Sequence, residues 1–203
     1  FKEKWIRVAE ITKDILIDRF NKTCTSDISL FPTNQEYKLW CENINEVGLS
    51  EAFEILTGEK YWINDKNRFT ALEIVSFMKK YVDSLRDNLH MNFSLLATSG
   101  ELISGRFVEI DKTLYSNEVL NKDFYTNSFH IDVDSKLPAY KKLEIEGPFH
   151  IYSNGGCISY VELSEAPFGN AEGLDELVEV AIKSGVHYLG FNFPKDVCSE
   201  CGT

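Results

Sequence analysis

"MNFSLLATSGELISGRF", residues 91–107, is the stretch on which the fold class turns. It reads as a strand that runs into a loop holding Gly100 and Gly105 and then opens a helix. Such a turn directs backbone amides toward an anion. Thr98, Ser99 and Ser104 add hydroxyl donors, Arg106 adds a forked cation, and Glu101 sits among them. An ordinary strand-to-helix turn is the commoner reading of this spacing and stays open beside the anion site.

Downstream the alternation continues. "GGCISYVELS" (155–164) reads as a Gly-led strand, "GLDELVEVAIKSG" (173–185) as a helix with Gly185 past its end, and "VHYLGFNF" (186–193) as a strand. "FYTNSFHIDV" (124–133) and "KKLEIEGPF" (141–149) look extended. Strands alternating with helices over the last hundred residues give an α/β organisation. Upstream, "NDKNRFTALEIVSFMKKYVDSLRDNLH" (64–90) is the clearest helix. Thr70 and Glu73 form a capping box, and Leu72, Val75, Met78, Val82, Leu85 and Leu89 form a buried stripe. Ser50 caps a shorter helix, "EAFEILTG" (51–58), ended by Gly58. A strand is expected around Leu39 to Ile44. Trp5, Val8, Ile11, Ile15 and Phe20, widened by Leu16, give the first helix near-helical apolar spacing. No repeat or low-complexity tract divides the chain, so residues 1–203 read as one domain or one contiguous part of a barrel.

Three further clusters carry chemistry. Asn127, Ser128 and His130 lie on a run flanked by aromatics, as residues lining a pocket do. His130 reads equally as a satisfied core histidine. Pro148 and the pair Gly155-Gly156 mark a close backbone approach. Cys157 is a candidate reactive thiol, although a Cys entering a strand is more often a small buried hydrophobe. Cys198 and Cys201 have the spacing of half a tetrahedral zinc site, with Gly202 as the turn residue. Free thiols or a redox pair have the same spacing.

Composition narrows the partners. The net charge of -11 repels phosphate backbones and anionic lipids, so no nucleic acid and no membrane surface is expected. An anionic small molecule can still bind at a local site. With 43% hydrophobic residues the chain has apolar surface for a sizeable core. Its five cysteines are odd in number in a chain that is not small, which fits a reducing, cytoplasmic setting better than a disulfide framework. No run approaches the roughly 20 apolar residues of a membrane span. The start "FKEKWIRVAE" has no signal-peptide pattern and no initiator Met, as in an excised piece.

In series, "SGRF" (104–107), "YTNSFHIDV" (125–133), "YKKLEIEGPFHIYSNGGCISYVEL" (140–163) and "GVHYLGFNFPKDVCSECGT" (185–203) resemble the C-terminal half of anaerobic (class III) ribonucleoside-triphosphate reductases. "NEVGLSEAFEILTG" (45–58) is similar to the family's segment that introduces a barrel helix. The resemblance spans roughly residues 40 to 203 and implies a fragment of a ten-stranded glycyl-radical-type α/β barrel. It also implies a ribonucleoside triphosphate substrate, zinc on cysteine pairs, and a glycyl radical made by a partner activase that uses S-adenosylmethionine and an iron–sulfur cluster. A thiyl radical on a loop inside the barrel, formate or a thiol system as reductant, nucleotide effectors such as ATP or dATP, and a homodimeric intact enzyme complete the implied picture. The radical and effector sites are expected outside this chain, and Cys24, Cys41 and Cys157 do not match the family's radical-cysteine loop. The chain has Thr98-Ser99-Gly100-Glu101 where the family commonly has Thr-Pro-Ala-Glu, and Gly155-Gly156-Cys157 where it commonly has Gly-Gly-His. A divergent or truncated non-catalytic relative, acting as a nucleotide-binding or interaction module, is the alternative. A relative of formate lyases or diol dehydratases is less consistent with the terminal cysteines.

Overall fold

The computed structural model describes residues 1–24, 42–98, 100–115 and 122–194. Phe93, Leu95 and Ala97 are buried in strand β2 (Phe93–Ala97), which pairs in parallel with β1 (Glu42–Glu46). A second parallel pair joins β3 (Ser159–Glu162) to β4 (Leu189–Asn192). The two pairs meet where Gly156, just before β3, makes a parallel bridge to Leu96. Gly155 donates to Leu95 O at 2.7 Å, and Ala97 donates to Gly156 O at 3.0 Å. A Cβ at Gly155 would lie 2.6 Å from Asn43 Oδ1 and 2.8 Å from Leu95 O. Only glycine permits this approach, as the pair of glycines led us to expect.

Helices cover the sheet. They are α1 (Lys2–Cys24), α2 (Leu49–Thr57), α3 (Asp65–Leu89), α4 (Glu101–Tyr115), α5 (Ala139–Glu146) and α6 (Ala171–Ser184), with short 3-10 turns at Val133–Ser135 and Gly147–Tyr152. The main core gathers Val75, Met78, Val82 and Leu85 of α3 with Phe93, Leu95, Phe129 and Phe149. Each fully buried Val or Leu of this kind contributes about 1.5–3 kcal/mol. Phe129 stacks on Phe149 at 5.2 Å, and the Tyr61 hydroxyl donates to Phe129 O at 2.5 Å. A smaller core joins Leu143, Val161 and Ala181.

Several local expectations are corrected. The long helix starts at Asp65, because Asn64 Oδ1 accepts the Asn67 N–H and caps it there; Thr70 lies inside and donates to Lys66 O. Leu89 is 40% exposed, whereas the rest of the expected stripe is buried or half-buried. Ser50 lies within α2, whose N-cap is Gly48; Gly58 does end that helix. In α1 the residues Val8, Ile11 and Ile15 are exposed, and Trp5, Ala9, Leu16 and Ile17 turn inward. Edge contacts of Trp5 with Phe77 and Tyr81 set that rotation. The expected strand around residues 39–44 is found as β1, displaced toward the C-terminus, and residues 39–41 lie outside the described residues.

Residues 141–149 are not extended. They form the end of α5 and the start of the following 3-10 turn. The apolar–polar alternation of Leu143-Glu144-Ile145-Glu146 imitates a strand because the helix lies between two cores. Leu143 packs into one and Ile145 into the other. Residues 124–133 also form no strand. Asn127 makes one antiparallel bridge to Val47. Thr126 O and Ser128 O instead accept the N–H groups of Gly48 and Leu49, at 2.9 and 3.0 Å. The segment thus supplies main-chain acceptors to the orphan donors of α2, and Ser128 takes φ 43° to do so.

Candidate functional site

Parallel strands place their carboxyl ends on one side, where ligands collect in α/β proteins. Glu162 ends β3 and Asn192 ends β4, and the Asn192 amide donates to Glu162 Oε1 at 3.2 Å. Both line a cavity of about 460 Å³. Ser104 in the first turn of α4, Asn127 and His130 of the capping segment, Lys142 of α5 and Tyr160 of β3 complete its polar wall.

Two of these groups are held by main-chain oxygens. His130 Nε2 donates to Ile158 O at 2.6 Å, so its ring is a positioned donor, largely buried. Lys142 Nζ donates to Tyr160 O at 2.6 Å and lies 3.8 Å from Glu146 Oε1. Glu146 is fully buried and accepts the Ile131 N–H at 2.8 Å. An ammonium carries three donors, so Lys142 keeps a donor for the cavity. Among the described residues, Asn127 Oδ1 is a buried acceptor with no hydrogen-bond partner, and the buried Ser128 Oγ likewise has none.

The cavity's rim is fixed by charge. Lys122 Nζ donates to Glu51 Oε1 and to Asp132 Oδ2, each at 2.7 Å. Burial alone would lower the Lys122 ammonium, but these two carboxylates hold it above its ordinary value. Burial likewise pushes Asp132 up, and the Lys122 bond and charge outweigh it and bring the carboxyl below its usual range. Glu51 Oε2 also accepts from the Thr126 hydroxyl at 2.8 Å. The Tyr125 hydroxyl, raised by burial and then by its bond to Asp111, stays protonated.

The two segments singled out in sequence therefore contribute unequally. Ser104, Asn127 and His130 share the cavity. Ser128 is buried and Arg106 is exposed on α4, and neither is among the residues that line the cavity. Thr98 and Gly100 are half-buried between β2 and α4. Ser99, the Glu101 side chain, Cys198 and Cys201 lie outside the described residues. Lys142, Glu162 and Asn192 escaped sequence reasoning. The last two carry a usable signal, since each lies near the end of an expected strand.

A second cluster lies on the other face of β3. Cys157 Sγ is 3.1 Å from His150 Nδ1, and His150 Nε2 is 2.9 Å from Ser159 Oγ. Burial, then the charges of His187 and His130, push His150 down to about 4, so it is neutral near pH 7. Cys157 is half-buried and polar-bonded, not the simple buried hydrophobe that is the commoner reading of its position.

Residues 35–203 match the family described as anaerobic ribonucleoside-triphosphate reductase. The anaerobic ribonucleoside-triphosphate reductase of Escherichia coli (strain K12) is 32% identical over 163 residues, covering 79% of this chain and 23% of that protein. That of Enterobacteria phage T4 is 34% identical over 133 residues, covering 64% of this chain and 22% of the relative. Among solved structures, an anaerobic ribonucleotide reductase superposes with a TM-score of 0.69 at 17% identity, over 79% of this chain and 25% of the other. The Thermotoga maritima enzyme in complex with dATP and CTP gives 0.65 at 16% identity, over 79% of this chain and 29% of its own. The chain thus spans about a quarter of the length of these proteins, and its fold is a piece of their larger α/β barrel. Together with the serial motifs of residues 104–203, these matches show that the chain belongs to the anaerobic ribonucleoside-triphosphate reductase family.

Proposed function

We propose that this chain is a contiguous part of the catalytic barrel of an anaerobic ribonucleoside-triphosphate reductase and that its cavity holds a ribonucleoside triphosphate. The observation that carries this reading is the meeting of Ser104 with Asn127 and His130 on one cavity at the carboxyl ends of β3 and β4. A volume of about 460 Å³ suits a nucleotide-sized ligand. Glu162 and Asp132 make part of the wall anionic, which disfavours phosphate there and suits sugar hydroxyls. The phosphates then fall to the turn Thr98–Ser104, where the N-terminus of α4 offers free amides and the positive end of its dipole. Lys142, which lines the same cavity, adds a cation for the anionic end of the ligand. The structure of the Thermotoga relative with dATP and CTP is consistent with nucleotide binding by this fold.

In the whole protein this reading entails reduction of the ribose by glycyl and thiyl radical chemistry, for deoxyribonucleotide synthesis in the cytoplasm. On this reading the glycyl radical and the ATP or dATP effector site belong to the rest of that protein, which is a homodimer activated by a partner that uses S-adenosylmethionine. Cys198 and Cys201 supply half of a zinc site whose remaining ligands lie elsewhere. Nucleotide binding and turnover by the full-length, activated protein test the substrate reading. Ser99→Asp places a carboxylate in the phosphate turn and is expected to raise the substrate constant roughly tenfold, the scale of a lost charge-assisted hydrogen bond. Effector affinity is expected to hold. An unchanged substrate constant in the folded variant would make residues 98–106 an ordinary turn.

A further inference from the structure

The side of β3 away from the cavity carries a set of donors that the nucleotide reading does not use. His150, Cys157 and His187 bring one ligand atom each within 4.8 Å of the others. They come from three separate places: the 3-10 turn after α5, the strand segment entering β3, and the turn between α6 and β4. Gly147 makes this convergence possible. A Cβ there would lie 2.2 Å from Ser184 O, so only glycine lets the turn that carries His150 reach the end of α6.

The protons are already arranged for a ligand. The main-chain N–H of His187 donates to His150 Nδ1 at 3.1 Å, so Nδ1 carries the lone pair. Nε2 then carries the ring proton and gives it to Ser159 Oγ. A metal-binding imidazole has this pattern, its far nitrogen donating to an outer oxygen that fixes the ring. Cys157 Sγ, 3.1 Å from Nδ1, sits on the lone-pair side. The His187 ring lies at 5.7 Å from the His150 ring, centre to centre, and is exposed, which gives an ion a way in.

We propose that His150, Cys157 and His187 bind zinc through two imidazole nitrogens and one thiolate, on the helix side of β3 and β4, separately from Cys198 and Cys201. Two nitrogens and one sulfur are a borderline donor set, suited to zinc and not to magnesium or calcium. Zinc bonds of 2.0–2.3 Å at tetrahedral angles need ligand atoms roughly 3.4–3.6 Å apart. The spacing here, from 3.1 Å to within 4.8 Å, brackets that separation, and binding also requires the main chain at His187 to draw its N–H off the His150 lone pair. The Cys157 S–H bond breaks, its proton goes to solvent, and the sulfur–zinc bond forms; nothing is oxidised. The His187 N–H gives up its share of the Nδ1 lone pair. Water completes the fourth position. The ion ties the end of α6 and the turn after α5 to the start of β3, a structural role away from the cavity.

The test uses the full-length protein, stripped with a chelator and titrated with zinc against a chromophoric competitor, and in parallel with cobalt as a spectroscopic stand-in. Cys198→Ser/Cys201→Ser is the background. In it, cobalt is expected to give a thiolate-to-metal charge-transfer band that Cys157→Ser abolishes and His187→Ala weakens. Ser159→Ala is expected to weaken zinc binding about 10–100-fold by freeing the His150 ring. If the background variant fails to fold, Cys157→Ser and His187→Ala in the otherwise intact protein are each expected to lower zinc content by one equivalent per chain. A charge-transfer band or a zinc content that is the same with and without Cys157 overturns the proposal, and leaves the cluster a hydrogen-bonded trio.

Discussion

Side chains alternate between two environments along residues 156–162. Tyr160 and Glu162 face the cavity, and Asn192 does the same from β4. Cys157 and Val161 face the helices, Val161 among Leu143 and Ala181. The alternation is the ordinary period of a strand, but its two sides do different work. On the cavity side, polar groups are fixed by bonds to main-chain oxygens, as Lys142 is by Tyr160 O and His130 by Ile158 O. On the helix side, apolar contact and the close approach of Gly147 to Ser184 hold the layers together. Stability should therefore respond to the helix side and ligand binding to the cavity side.

The strongest challenge to that division is Val161→Asp. It buries an unpaired carboxylate in the small core, and a loss of about 4 kcal/mol or more is expected in denaturant unfolding. An unshifted midpoint would mean that this face is not core. Gly147→Ala is next. Its methyl group collides with the backbone of Ser184, and about 3 kcal/mol is expected, read as a fall in thermal midpoint.

Acidification gives a smaller, signed effect at the cavity rim. Asp132 has a lowered pKa in the fold, so the unfolded chain binds its proton more readily. Its contribution is present above the ordinary carboxyl value of 3.8 and is lost as pH falls through the folded value. Lys122, raised in the fold, contributes below 10.5 and is lost as pH rises through its folded value. Asp132→Asn is expected to flatten the acid limb of a stability–pH curve. The smallest stability effect belongs to Glu162→Gln, within about 0.5 kcal/mol, although it should alter nucleotide affinity. A large loss of stability in that variant would erase the distinction between the faces.

Much of this layout was legible in the sequence where one local rule acts alone. Phe93–Ala97 as a strand, α4 after Gly100, α6 ended by Gly185, and β4 all follow from hydrophobic period and Gly position. The sequence misleads where tertiary structure sets the pattern. Leu143 and Ile145 serve two cores from one short helix, so their spacing imitates a strand. Residues 124–133 look extended because they lend their carbonyl groups to α2, a service that leaves no periodic mark. Of the candidate residues, Ser104, Asn127 and His130, polar residues in suggestive company, are brought to one cavity. Lys142 was hidden by the misread helix, and Arg106, close in sequence, is exposed on α4 outside the cavity lining, because neighbours along a helix do not share a direction.

The capping of α2 has a consequence for how the chain is made. Its N-cap is Gly48, with no side-chain acceptor, and the bonds that complete it come from Thr126 and Ser128. Glu51 likewise waits for Thr126, 75 positions later. At synthesis rates of roughly 5–20 residues per second, that separation is about 4–15 s. For those seconds α2 leaves the ribosome with bare amides and an unpartnered carboxylate, so it can settle against the sheet only after translation has passed the cavity's own wall.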